Sequence, residues 1–116
     1  MSRVLPDNQD KRADYPLWDG LFAYFPAALC EVARWSKAGN AQHNPGEPLH
    51  WAREKSTDHA NKILRHLVDA KHLNSEGFYE AVGMAWRALA LCQEILEEAG
   101  WPEGENAKRI TKEKND

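Results

Sequence analysis

The sequence predicts an all-α fold, a helical bundle, on three observations. Apolar residues recur at three-and-four spacing through three stretches of the middle of the chain. Helix start and stop residues bracket those stretches. No strand-like alternation of useful length remains between them.

The first helix follows YPLWDGLFAYF and runs through PAALCEVARWSK. Pro26 suits a first turn, where its missing N–H is not needed, and Gly39 is the expected stop. Phe25, Leu29, Val32 and Trp35 or Ser36 make its expected buried stripe. The second helix opens at Ser56, Thr57 or Asp58, each a side chain able to cap, and continues through HANKILRHLVDAK. There Ala60, Ile63, Leu64, Leu67, Val68 and Lys71 share a face, with Lys62, Arg65, His66 and Asp69 opposite. The third and longest helix is expected from about residue 77 to 99, ended by Gly100 and Pro102. Phe78, Ala81, Val82, Ala85, Leu89, Cys92, Ile95 and Leu96 are its apolar positions.

A chain of 116 residues makes one domain with a modest core, so completion of that core by homo-oligomerisation is expected. Residues 15–102 carry the helical domain, with a polar N-terminal segment over 1–14 and a charged tail over 103–116, both expected to be loose. The net charge of −3 offers no basic excess for a nucleic-acid polymer. Cys30 and Cys92 each sit inside an apolar helical pattern and read as reduced core thiols rather than a disulfide pair. No signal-peptide or membrane-spanning run is visible, so a soluble cytoplasmic protein with no membrane partner is expected.

Between the first two helices the stretch NAQHNPGEPLHW lacks either period, and the connection from Asn40 to about Lys55 is long for a compact domain. Asn40, Gln42, His43, Asn44 and His50 are donor and acceptor side chains able to read a base edge, and Trp51 is able to stack on it. A rigid polar connector held by Pro45 and Pro48 is the competing reading. Among the acids, Glu31 lies in an apolar helix and either pairs with Arg34 or faces a partner. Glu80 is solvent-facing alone, but set across a bundle from Glu31 it would make a divalent-metal site. Asp69, Glu76 and His66 extend that supply. Lys62, Arg65 and Arg87 suit phosphate, or structural pairs with Glu31 or Glu80. No Gly-rich phosphate loop and no serine or cysteine nucleophile with a local partner appears, which disfavours covalent catalysis.

Taken in order, FPAALCEVARWSKAGNAQHNPGEPLHW, LRHLVDA and EGFYEAVGMAWRALA resemble the phage-type dATP/dGTP diphosphohydrolase (MazZ-like) domain, related to the MazG-like all-α nucleotide pyrophosphohydrolases. The resemblance spans roughly residues 15–98. It implies hydrolysis of a purine deoxynucleoside triphosphate, dGTP or dATP, to the monophosphate and diphosphate, in phage nucleotide-pool metabolism within the host cytoplasm. It also implies Mg²⁺ or Mn²⁺ held by helix carboxylates, where the metal offsets triphosphate charge and activates water. Carried onto this chain, Glu31 and Glu80 are the catalytic and first metal-binding acids, with Asp69 and Glu76 second. Lys62, Arg65 and Arg87 then take phosphate, and Asn40, His43, Asn44, His50 and Trp51 the nucleoside. The family's ExxE and ExxD pairs are each half present, because Arg34 and Gly83 stand at the second positions. A non-catalytic helical module that binds a nucleotide or a protein is the alternative.

Overall fold

The computed structural model describes residues 3–109. It is helical: α1 (Gln9–Arg12), a π-helical turn (Trp18–Phe22), α2 (Pro26–His43), a single 3₁₀ turn (Arg53–Lys55), α3 (His59–Val68) and α4 (Glu80–Glu98). Among the described residues the one sheet-like feature is an isolated antiparallel bridge between Leu73 and Tyr79. No helix among them is long and apolar enough to cross a membrane.

The longest helix, α4, packs against both α2 and α3. The indole N–H of Trp86 on α4 donates to Ser36 Oγ on α2 at 2.8 Å, which fixes the register of that pair. The turn between α3 and α4 is closed by Asn74, whose side-chain oxygen accepts from the backbone N–H groups of Glu76 and Phe78. Gly77 sits there at φ +84°, a conformation that glycine adopts without a Cβ penalty. Phe78 is thereby delivered into the interior with 2% of its surface exposed. Trp35 meets it edge to face at 5.1 Å, and the Arg34 guanidinium covers its ring at 3.8 Å.

Three expectations about the helices and their cysteines are corrected. The first helix does not stop at Gly39 but continues to His43. A glycine inside a helix costs about 1 kcal/mol relative to alanine, and side-chain bonds around the last turn offset it. Asn40 donates to Glu47 O at 3.0 Å and accepts from the Asn44 amide at 2.9 Å, tying the helix end to the connection that follows.

The second correction concerns α3. Leu64, Leu67 and Val68, expected inside, are exposed, with Val68 at 82%. His59 is buried and Lys62, Ile63 and His66 are half-buried in their place. Polar contacts set this rotation: His66 Nδ1 lies 2.6 Å from Glu80 Oε1, and His59 Nδ1 accepts from Arg87 at 3.2 Å. Those contacts direct the imidazoles to α4 and leave the leucines outside.

Cys30 and Cys92 supply the third, since both thiols are free and exposed rather than in the core. Their helices turn other residues inward, Gly83 and Ala90 in the case of α4.

The buried interior is instead rich in residues of the connection over 44–58. Asn44, Ala52, Arg53 and Ser56 are all buried. Arg53 holds Glu97 through two hydrogen bonds of 2.8 and 2.7 Å, lies 3.8 Å from Glu94, and stacks over Trp51 at 4.1 Å. Its Nε donates to Ala107 O. Residues 103–109 of the tail expected to be loose are therefore held: Trp51 N donates to Asn106 O at 2.8 Å, and Arg109 pairs with Glu97 and Glu103. The remainder of that expectation, over 110–116, lies outside the described residues. At the other end Tyr15 meets Trp101 edge to face at 6.5 Å.

Burial on its own would raise the Glu97 carboxyl, but hydrogen bonds from Arg53 and Gln93 and the charges of Arg53 and Arg109 outweigh it and hold the group below the ordinary carboxylate range. A carboxyl lowered in the folded state contributes stability above its unfolded pKa, about 4.3, and loses that contribution as pH falls through the folded value. Glu97→Gln is expected to destabilise the fold by about 3 kcal/mol at neutral pH, because it strands a buried guanidinium. Urea unfolding should show the gap from wild type narrowing at about pH 3. An equal gap at both pH values would contradict the charged pairing.

Candidate functional site

A cavity of about 450 Å³ lies against the C-terminal half of α2, the connection, α3 and the start of α4. That volume suits a small-molecule ligand. Three tryptophans line it, Trp35 from α2, Trp51 from the connection and Trp86 from α4, with Phe78 beside them. Trp51 and Trp86 meet edge to face at 5.6 Å. Such faces offer stacking surface for an aromatic ring.

The charged lining is one-sided. Lys55, Lys62, Arg65 and Arg87 reach the cavity, and Glu76 is its one carboxylate. In a chain of net charge −3 this local excess of cations makes the cavity electrostatically favourable to an anion. Lys55 is engaged by His43 O at 3.0 Å and Asn44 Oδ1 at 3.3 Å. Arg65 and Lys62 have no ion-pair partner among the described residues, and neither does Arg87. Burial pushes the Arg87 guanidinium below its ordinary pKa, with the charge of Asp58 acting the other way. A desolvated cation that no carboxylate contacts directly is stabilised by any anion that reaches it.

All eight residues expected for nucleoside and phosphate line this one cavity: Lys62, Arg65 and Arg87 together with Asn40, His43, Asn44, His50 and Trp51. Their roles differ from the expectation in one respect. Asn40 and Asn44 are occupied with the backbone and with each other: the Asn40 oxygen accepts from His50 N at 3.3 Å, and the buried Asn44 amide reaches His50 O at 3.4 Å. They brace the wall. His50 Nδ1 is similarly held near Pro48 O at 2.9 Å.

The acids do not gather as the metal expectation requires. Arg34 grips Glu31 through both nitrogens at 2.7 and 2.9 Å and also donates to Gly77 O at 3.1 Å, so the pair ties α2 to the α3–α4 turn. That bidentate bond is the main reason the Glu31 carboxyl is held below its ordinary value. Glu80 is joined to His66. Asp69 ends α3 and its backbone oxygen accepts from His72 N at 2.8 Å. No group of three or more histidine, cysteine, aspartate or glutamate side chains suited to a metal occurs among the described residues. The donor set described within one chain does not fit a resident divalent ion, which needs several oxygen ligands.

The arrangement also explains the glycine at position 83 on α4. A Cβ on Gly83 would stand 2.6 Å from Trp35 Cη2 and 2.9 Å from His66 Cε1. The absent side chain admits the indole and the imidazole, which meet edge to face at 5.6 Å. Reasoning from the sequence missed Trp86, Lys55 and His59 as cavity or near-cavity residues. The tryptophan spacing Trp35, Trp51, Trp86 was the available signal, because each stands one per element.

No protein-family model, curated protein or solved structure matches the chain.

Gly83→Ala tests how tightly this wall is built. Overpacking of this kind is expected to destabilise by about 2 kcal/mol, seen as an earlier thermal transition, and to displace His66 and Trp35. Wild-type stability with unchanged tryptophan emission would show that the contact is slack.

Proposed function

We propose that the protein binds a purine deoxynucleoside triphosphate, dGTP or dATP, in this cavity and hydrolyses it to the monophosphate and diphosphate. The observation that carries the reading is the composition of one wall: aromatic faces for a base beside Lys62, Arg65 and Arg87, cations without carboxylate partners among the described residues. The resemblance over residues 15–98 supplies the reaction class and the setting of phage nucleotide-pool metabolism.

In this reading the cations draw in and orient the polyphosphate, and stabilise charge that develops on its oxygens as water attacks and the bond between the α- and β-phosphates breaks, releasing diphosphate. No side chain acts as nucleophile. Mg²⁺ or Mn²⁺ enters as the partner of the triphosphate, since the acids described in one chain do not assemble a site of their own.

The active form is a homo-oligomer. Leu64, Leu67 and Val68 form an exposed apolar face on α3, and Trp18, Phe22 and Phe25 are exposed around the π-helical turn. Apolar patches of that kind are usually covered by a partner surface.

A second reading, a nucleotide-binding module without turnover, is favoured by the engagement of Glu31 with Arg34 and of Glu80 with His66. Incubating the protein with each of the four dNTPs and Mg²⁺ or Mn²⁺, then resolving nucleotides and phosphates, separates the two. Monophosphate and diphosphate from dGTP or dATP are expected. Binding with no product in either metal would replace the enzyme with the module, and no binding at all would end both.

A further inference from the structure

Arg87 reaches the cavity wall from α4 with its guanidinium anchored at one end. Its Nη1 donates to Thr57 O at 3.3 Å and lies 3.2 Å from His59 Nδ1. No hydrogen bond to Nη2 or Nε is formed by the described residues, so the rest of the donor fork is free for a ligand.

The histidine behind it is set by hydrogen-bond logic. A guanidinium has donors and no acceptor, so His59 Nδ1 facing it has to present a lone pair, which places the ring proton on Nε2. On its other side Nε2 lies 3.4 Å from Glu94 Oε1, an electrostatic contact. His59 is 7% exposed, which shuts out competing water. Glu94 in turn lies 3.8 Å from Arg53. A row of charged and polar groups therefore runs from the buried Arg53 cluster past Glu94 and His59 to Arg87 at the cavity.

We infer that His59 is a positioning residue, which holds Arg87 in the orientation that receives a phosphate oxygen of the nucleotide. This rests on the proposed nucleotide site and adds to it a residue outside the expected ligand set. The physical gain is preorganisation: a long arginine fixed before binding loses less rotamer freedom when the anion arrives. Thr57 contributes its carbonyl from beside Asp58, whose left-handed backbone at φ 61° turns the chain into α3.

A merely structural histidine is the competing role, since its ring also packs edge to face on Trp51 at 6.1 Å. His59→Phe keeps a ring against Trp51 and removes both nitrogens. Affinity is read by calorimetry with the α,β-methylene analogue of dGTP in Mg²⁺, which does not turn over at the bond in question. Arg87→Ala is expected to weaken binding on the order of 30-fold and His59→Phe about tenfold, the range of a charge-assisted hydrogen bond and its support. The double variant is expected to bind no more weakly than Arg87→Ala, because His59 acts through Arg87. His59→Gln, whose amide has both an acceptor and a donor, should restore affinity to within about threefold of wild type.

If the two losses multiply in the double variant, or if glutamine fails to rescue, the positioning role is overturned while the nucleotide site stands. If the wild type binds no nucleotide, the site and the inference fall together. Should His59→Phe not fold, Glu94→Gln reads the same coupling one step back. It is expected to cost about threefold in affinity beside Arg87 and nothing in the Arg87→Ala background, and an equal loss in both overturns the inference.

Discussion

Arg53 has 8% of its surface left to solvent, and a buried guanidinium has to be paired and hydrogen-bonded on nearly every side. Its partners come from separate parts of the chain: Glu94 and Glu97 on α4, Trp51 in the connection, and the backbone of Ala107 in the tail. Satisfying this one side chain therefore draws the connection over α4 and brings the segment at 103–109 against it. Trp51 is placed in the cavity wall by the same contacts. The three helices supply the scaffold, but the connection closed by Arg53 turns their packing into a pocket.

That pocket divides its labour by chemistry. Asn40 and Asn44, which as a sequence look suited to reading a base, use their amides to knit the end of α2 to residues 47–50. The stretch NAQHNPGEPLHW thus spans a helix end and a braced wall. The rest of the lining is aromatic and cationic: the rings of Trp35, Trp51 and Trp86, and Lys62, Arg65 and Arg87 of α3 and α4. Gly83 belongs to this division too, since its missing side chain makes room for Trp35 and His66.

The helices and their approximate limits were legible in the sequence because three-and-four periodicity and proline or glycine punctuation are local signals. Helix rotation was not. On α3 the hydrophobic stripe pointed Leu64, Leu67 and Val68 inward, yet pairing of His59 and His66 with groups on α4 decided the face. Such pairings join residues far apart in the chain and leave no period to read. The same reason hid Arg53, which in HWAREKS looks like an ordinary surface charge, and misplaced Cys30 and Cys92 in a core that lies elsewhere. Of the site, the eight residues that line the cavity stood out as polar and aromatic types in a conspicuous order. Glu31, expected as the first metal acid with a pair to Arg34 as the competing reading, is held by Arg34, and acids do not gather for a metal among the described residues.

Entry of an aromatic anion into the cavity would be reported directly by the three tryptophans that line it. Titrating the protein with dGTP while following tryptophan emission should give saturable quenching, with deoxyribose 5-phosphate, which lacks a base, producing little. Arg65→Ala combined with Lys62→Ala should shift the midpoint to higher nucleotide concentration at unchanged amplitude, because phosphate contacts are lost and stacking is kept. Emission that stays constant with dGTP and dATP alike, up to millimolar nucleotide, would contradict the account.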